Sequence, residues 1–192
     1  MRKISQEELD EIFPLDKKEI ITPYLTPYTN PEMPQELILP EDWEMKYNLN
    51  ETNLSGLKIK NKVIQHASIE NSNLEGLCIE DSLILESSFT HSNLNNSIMK
   101  DCYIYAVRFN LANLKEADLS ETSLVQSSLE QSNLNKINLN YSALFRCSFK
   151  KATLHPTQAY KAMILEPLHL TQHQKTRLLF LGASINRKSI LD

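Results

Sequence analysis

Glycine and cysteine are both scarce, at three each in 192 residues. So little glycine leaves no collagen-like repeat and no glycine-rich loop to cradle a nucleotide, and HExxH, GxSxG and CxxC are missing too. Three widely spaced cysteines fit a reducing compartment better than a disulfide framework. Positive charge is not in excess: 20 Lys and Arg face 24 Asp and Glu, for a net charge of -4 and a pI near 5.8. Without a basic field to grip phosphates, direct nucleic-acid binding is not expected. No apolar run approaches the ~20 residues of a membrane helix; runs such as Leu178 to Leu181 are typical. The opening MRKISQEELDEIF carries charges where a signal peptide needs an apolar stretch, so a cytoplasmic protein is the expectation.

The central sequence is patterned, but at neither the helical nor the strand period. Large apolar residues stand at every fifth position from Leu49, Leu54, Ile59 and Ile64 through Phe89, Leu94, Met99, Ile104 and Phe109 to Phe149 and Leu154, 22 in succession. With 41% hydrophobic residues, chance gives such a run about 3 times in 10^9 per starting point, so the period is a structural property. Two residues before each member the chain is Ala, Ser, Thr or Cys at 16 of the 22 sites, as at Ala67, Ser72, Ser92, Cys102, Ala117 and Ser132. One large and one small position per five residues point inward, and the other three, mostly polar, face water. A chain that turns a corner once per unit satisfies that pattern; a helix or flat strand does not.

Units such as Ser72-Asn73-Leu74-Glu75-Gly76, Ala112-Asn113-Leu114-Lys115-Glu116 and Ala117-Asp118-Leu119-Ser120-Glu121 resemble the A(D/N)LXX repeat of pentapeptide-repeat proteins. The resemblance covers residues 47–156 and implies an all-β solenoid, a right-handed quadrilateral β-helix with 20 residues per coil. The sequence offers an independent check, because residues 20 apart segregate by type. Leu54, Leu74, Leu94, Leu114, Leu134 and Leu154 form one column, and Asn53, Asn73, Asn93, Asn113 and Asn133 stand beside it. Leu49, Ile69, Phe89, Phe109, Leu129 and Phe149 form another. The asparagines predict a ladder of side-chain amides bonded along the axis.

Open coil ends need caps, and the flanking segments suit that task. In residues 1–46, Ser5 and Glu8 form a capping box, Ile4 and Leu9 a hydrophobic staple, and Pro14 ends the helix. Five prolines between 23 and 40, interleaved with Tyr24, Leu25, Tyr28, Met33 and Leu37 to Leu39, predict an extended strap. In residues 157–192, Ala159, Ala162 and Met163 predict one short helix ending near Pro167. Thr171 caps a second helix that stops at Gly182. Its Leu178, Leu179 and Leu181 exceed one narrow stripe and predict packing on two surfaces, the last coil and a second subunit.

Cys102 and Cys147 fall at inward positions, whereas Cys78 faces outward with nothing beside it to lower its pKa. His169 and His173 could share a metal only if one helix held both. No metal, cofactor or catalytic residue is expected. One outward surface breaks the polar rule: Val63, Leu83, Leu85, Tyr103, Tyr105, Val125, Ala143 and Phe145 stack as an apolar stripe. Either the chain's own strap or terminal helix covers it, or it is an interface, since large exposed apolar patches mark binding sites.

The leading expectation is a non-enzymatic protein-interaction scaffold, a rigid four-sided rod that also has the means to form a homodimer through its C-terminal helices. The resemblance adds an alternative, binding to DNA gyrase or another type II topoisomerase with resistance to a poison; the C-terminal helix is similar to the dimerising tails of quinolone-resistance pentapeptide proteins. Against it, the charges sum to -6 over residues 1–47, about -1 over the coils and +3 beyond, a poor imitation of DNA. A third alternative is a secreted bacterial effector with the acidic Pro-rich N-terminus as its address.

Overall fold

A computed structural model describes residues 1–14, 45–155 and 158–186; the expected Pro-rich strap lies outside the described residues. The chain winds as a parallel β-solenoid, and between the terminal strands its rungs pair in register 20 residues apart: Tyr103 with Leu83 and Ser123, Ile104 with Ile84 and Leu124, Tyr105 with Leu85 and Val125. Every one of the 22 period-five residues is buried, none more than 5% exposed, in one continuous core. Phe89 and Phe109 stack with ring centroids 5.2 Å apart at 14°. The expected amide ladder is present, with Asn73, Asn93, Asn113 and Asn133 each donating Nδ2 to Oδ1 of the asparagine one coil earlier at 3.3, 3.3, 3.1 and 2.9 Å. The same Oδ1 atoms accept the backbone N–H two residues on, as from Glu75 and Lys115, which fixes each corner.

The small inward residues have a second task beyond their size. Their hydroxyls accept backbone N–H groups from the same position one coil earlier: Thr52 donates to Ser72 Oγ at 3.0 Å, Ser72 to Ser92 at 3.0 Å and Val107 to Ser127 at 3.1 Å. Each hydroxyl then donates to a carbonyl, as Ser92 does to Ile69 at 2.6 Å. Inward serine therefore satisfies buried backbone that the short strands cannot pair.

A corner every five residues requires a left-handed backbone, and glycine supplies it only at Gly56, Gly76 and Gly182; 22 non-glycine described residues also have φ near +50° to +60°. A side chain in that region costs roughly 1–2 kcal/mol, which the stacked coils offset. Gln131, exposed at φ +57°, isolates the effect. Gln131→Gly is expected to raise unfolding stability by about 0.5–1 kcal/mol, whereas Gln131→Val should lower it by about 1–2 kcal/mol. Urea midpoints that move in the same direction for both would refute the assignment.

The ends differ from the sequence reading in three respects. First, the coil does not stop at residue 156. Ala159 and Ile164, both buried, extend the period-five series, and Met163–Leu165 is a strand paired with Ala143–Phe145, not part of a helix. Second, two strands belong to the caps: Arg2–Lys3 pairs with Thr52–Asn53, and Ser184–Asn186 pairs with Met163–Leu165. Third, the N-terminal capping box is only half formed. In helix α1, Gln6–Ile12, Ser5 accepts from Glu8 N–H, but the Glu8 carboxylate pairs with Arg2 instead of closing the box. Helix α2, Gln172–Phe180, has the full box between Thr171 and Gln174. Gln174 Nε2 donates to Ala152 O at 2.9 Å, closing a carbonyl of the coil below.

Candidate interaction face

One side of the solenoid is a continuous seven-stranded sheet, Val63–Gln65, Leu83–Leu85, Tyr103–Tyr105, Ser123–Val125, Ala143–Phe145, Met163–Leu165 and Ser184–Asn186. At ~4.8 Å per strand its six spacings span about 29 Å. The central residue of each of the first six strands is core, so the flanking residues point outward, and they form the stripe read from the sequence. Their burial is graded along the axis. Val63 is 4% exposed, Leu83 9% and Leu85 fully buried; Tyr103, Tyr105, Val125 and Phe145 are half-buried; Met163 is 46% exposed. Val63, Leu83 and Leu85, with Tyr103 and Tyr105 against them, make a second apolar cluster separate from the core.

Polar corners rim the stripe. After the strands, His66 Nε2 lies 3.3 Å from Glu86 and Arg146 lies 3.9 Å from Glu166. The opposite corner carries Asp81, Asp101 and Glu121, each held in the left-handed region. Glu121 lies 3.1 Å from Lys100, whose ammonium it holds above its ordinary range.

At the C-terminal end the three helix leucines divide. Leu178 is 1% exposed and belongs to the core, Leu181 is half-buried against it, and Leu179 is 53% exposed. Phe180, which the sequence reading passed over, is 89% exposed and borders a shallow cleft with His173, Thr176, Arg177 and Leu181. Tyr141 and Tyr160, both more than half exposed, contact edge to face with centroids 5.7 Å apart. The signal for Phe180 was available: successive helical residues turn by ~100°, so a buried Leu178 points Leu179 and Phe180 away from the coil.

The remaining candidates form no reactive centre. Burial pushes the Cys147 thiol up to about 12, and burial, then the Glu80 carboxylate, raises Cys78 as well. His169 lies before the Thr171 cap and off the helix, while the His173 ring stands 5.8 Å from His155. Among the described residues no group of three or more His, Cys, Asp or Glu could hold a metal ion, and no helix is long and apolar enough to cross a membrane.

The fold and its period define a four-sided β-solenoid of stacked five-residue units. Residues 85–120 and 112–150 match the family described as pentapeptide repeats (8 copies). The chain is similar to the solved pentapeptide repeat protein Rfr23 of the cyanobacterium Cyanothece 51142, with 17% identity over 56% of this chain and 87% of that one, at a TM-score of 0.50. It also aligns with trypsin-treated QnrB1, a plasmid-mediated fluoroquinolone resistance protein, at 10% identity over 70% and 78% of the two chains and a TM-score of 0.41. A pentapeptide repeat protein of the Arabidopsis thaliana thylakoid lumen aligns at 15% identity over 74% and 81%, with a TM-score of 0.34. None of the curated proteins matches the chain.

Proposed function

We propose that this protein is a non-enzymatic interaction scaffold whose partner docks on the C-terminal half of the apolar face. The observation that carries the reading is the stripe itself: apolar side chains stacked on one side of a solenoid whose other sides present mainly Asn, Ser, Thr, Glu and Lys, opening from buried Leu85 to 46% exposed Met163. Val125 and Phe145 lie in the open part, between the acidic corner and the Arg146–Glu166 corner. The surface suits a protein that presents apolar side chains with basic groups along one edge.

The test is a pull-down from bacterial lysate with the wild type and a Val125→Glu/Phe145→Glu variant side by side, followed by titration of the captured protein. Two buried carboxylates at the interface should weaken binding at least ~100-fold while the β-rich circular dichroism is unchanged. Equal capture by both baits would remove the face from the argument. Enrichment of gyrase or topoisomerase subunits on the wild type alone would specify the reading as topoisomerase binding and justify a supercoiling assay. Self-association belongs to the same proposal, through Leu179 and Phe180 at the end of the rod. Leu179→Asp/Phe180→Asp is expected to convert a dimer to a soluble monomer by light scattering; a variant that stays dimeric would refute that contact.

A further inference from the structure

The C-terminal end of the solenoid carries a second surface, and we infer that it binds a short stretch of single-stranded nucleic acid. The net charge of -4 hides a segregation of sign. Residues 65–135 hold ten acidic residues against three Lys and Arg, whereas residues 137–186 hold six Lys and Arg against the single acid Glu166. Glu166 in turn lies 3.9 Å from Arg146. The same stretch holds Tyr141, Tyr160 and Phe180, the three aromatic residues that are more than half exposed among the described residues. Excess positive charge and exposed rings therefore coincide at one end of the rod.

Helix α2 lays these groups along one track. His173, Arg177 and Phe180, at i, i+4 and i+7, share a side of the helix turned away from buried Leu178. At the start of the helix the His173 ring meets His155 of the coil, with centroids 5.8 Å apart. At its end the chain runs close against Tyr160: a Cβ on Gly182 would stand 3.3 Å from the Tyr160 ring, and Lys161 N–H donates to Gly182 O at 3.1 Å. Tyr160 leads on to Tyr141, with Lys161 Nζ 5.4 and 5.8 Å from the two ring centroids. Between these contacts His173, Thr176, Arg177, Phe180 and Leu181 line a shallow cleft of about 330 Å³. Arg177 Nε is buried there with no hydrogen-bond partner among the described residues, a charged donor that a bound acceptor would satisfy. None of these residues belongs to the seven-stranded face.

The track addresses both parts of a nucleotide. Lys161 and Arg177 supply charge for phosphates, and exposed Lys151 adds to their field beside Ala152, the residue whose carbonyl Gln174 of α2 closes. Exposed Phe180 and Tyr160 offer ring faces on which unpaired bases stack, whatever the base. A duplex keeps its bases stacked on one another and makes no use of those rings. An acidic polypeptide would meet the cations but brings no flat partner for each ring. Single-stranded nucleic acid is the polyanion that uses both.

The test is fluorescence anisotropy of a labelled oligothymidylate, about 12 nucleotides long, titrated with the full-length protein. At low salt it should bind with a Kd of ~1–100 μM, and a fourfold rise in salt should weaken binding about 10-fold, as two or three phosphate contacts require. Phe180→Ala should weaken it at least ~5-fold with the salt slope unchanged, and Lys161→Ala/Arg177→Ala at least ~5-fold with a flatter slope. Phe180 is 89% exposed, so its variant keeps the test valid even if the Arg177 variant fails to fold. Lys60→Ala/Lys115→Ala removes the same charge from distant coils and should change Kd less than ~2-fold. A duplex of equal length and a poly-glutamate of equal charge should each compete at least ~10-fold less well. No anisotropy change up to ~300 μM protein, equal competition by the duplex or by poly-glutamate, an equal loss from the distant lysines, or unaltered affinity in Phe180→Ala would each overturn the inference.

Discussion

Phe109→Ala is expected to lower unfolding stability by roughly 3–5 kcal/mol, measured as a shift of the urea midpoint. Phe109 is fully buried at the centre of its column, stacked on Phe89 on one side and followed by Leu129 on the other. Truncation removes the ring's burial, leaves a cavity between two coils, and forfeits an aromatic pair that contributes about 0.5–1.5 kcal/mol beyond its area. Coils held in register by backbone ladders cannot settle into the gap without breaking their neighbours' bonds. Phe109→Leu should cost about 1–2 kcal/mol, because Ile69 and Leu129 show that the column accepts a branched aliphatic. Phe180→Ala, at 89% exposure, should change monomer stability by less than ~0.5 kcal/mol. A loss below about 1 kcal/mol for Phe109→Ala would mean that the coils slide, and the rigid-rod description would fall with it.

How much of this molecule can be read in its sequence follows from which contacts use side chains. The coil is legible because Leu54 to Leu154 and Asn53 to Asn133 repeat the same contact once per turn, so 20-residue spacing is imprinted on residue type. The continuation past residue 156 is not, because Ala159 and Ala162 suit a helix as well as a coil and only the strand pairing of Met163–Leu165 decides between them. Arg2–Lys3 joins its sheet by backbone pairing with exposed side chains, and Ser184–Asn186 offers only Ile185 to the core, so neither carries a repeated side-chain pattern. The stripe was visible as a breach of the polar rule, since Tyr103 and Tyr105 stand where other faces carry Asn or Ser. Its grading from buried to open was not, because exposure depends on what lies over a face, and that is a property of the folded chain. Of the terminal leucines, sequence spacing grouped Leu178, Leu179 and Leu181 together, while the helix phase separates them.

The inward serines supply the second large effect, one that size alone would not suggest. Ser127 is fully buried; its Oγ accepts Val107 N–H at 3.1 Å and donates to Val125 O at 3.0 Å. Ser127→Ala keeps the small volume but strands the Val107 N–H inside the coil, and a buried donor left without a partner costs about 1–3 kcal/mol. If inward serines were present only because they are small, alanine would be neutral, as Ser55→Ala on the exposed surface should be, within ~0.5 kcal/mol. Ser127→Thr separates the two accounts further. Thr122 holds the same place one unit earlier, accepting Cys102 N–H at 3.3 Å and donating to Met99 O. Threonine at 127 should therefore recover most of what alanine loses despite its extra methyl group. Urea titration of the three variants decides the matter: alanine at wild-type stability with threonine destabilised would show that volume governs these positions, whereas the reverse order shows that the hydroxyl carries the backbone from one coil to the next.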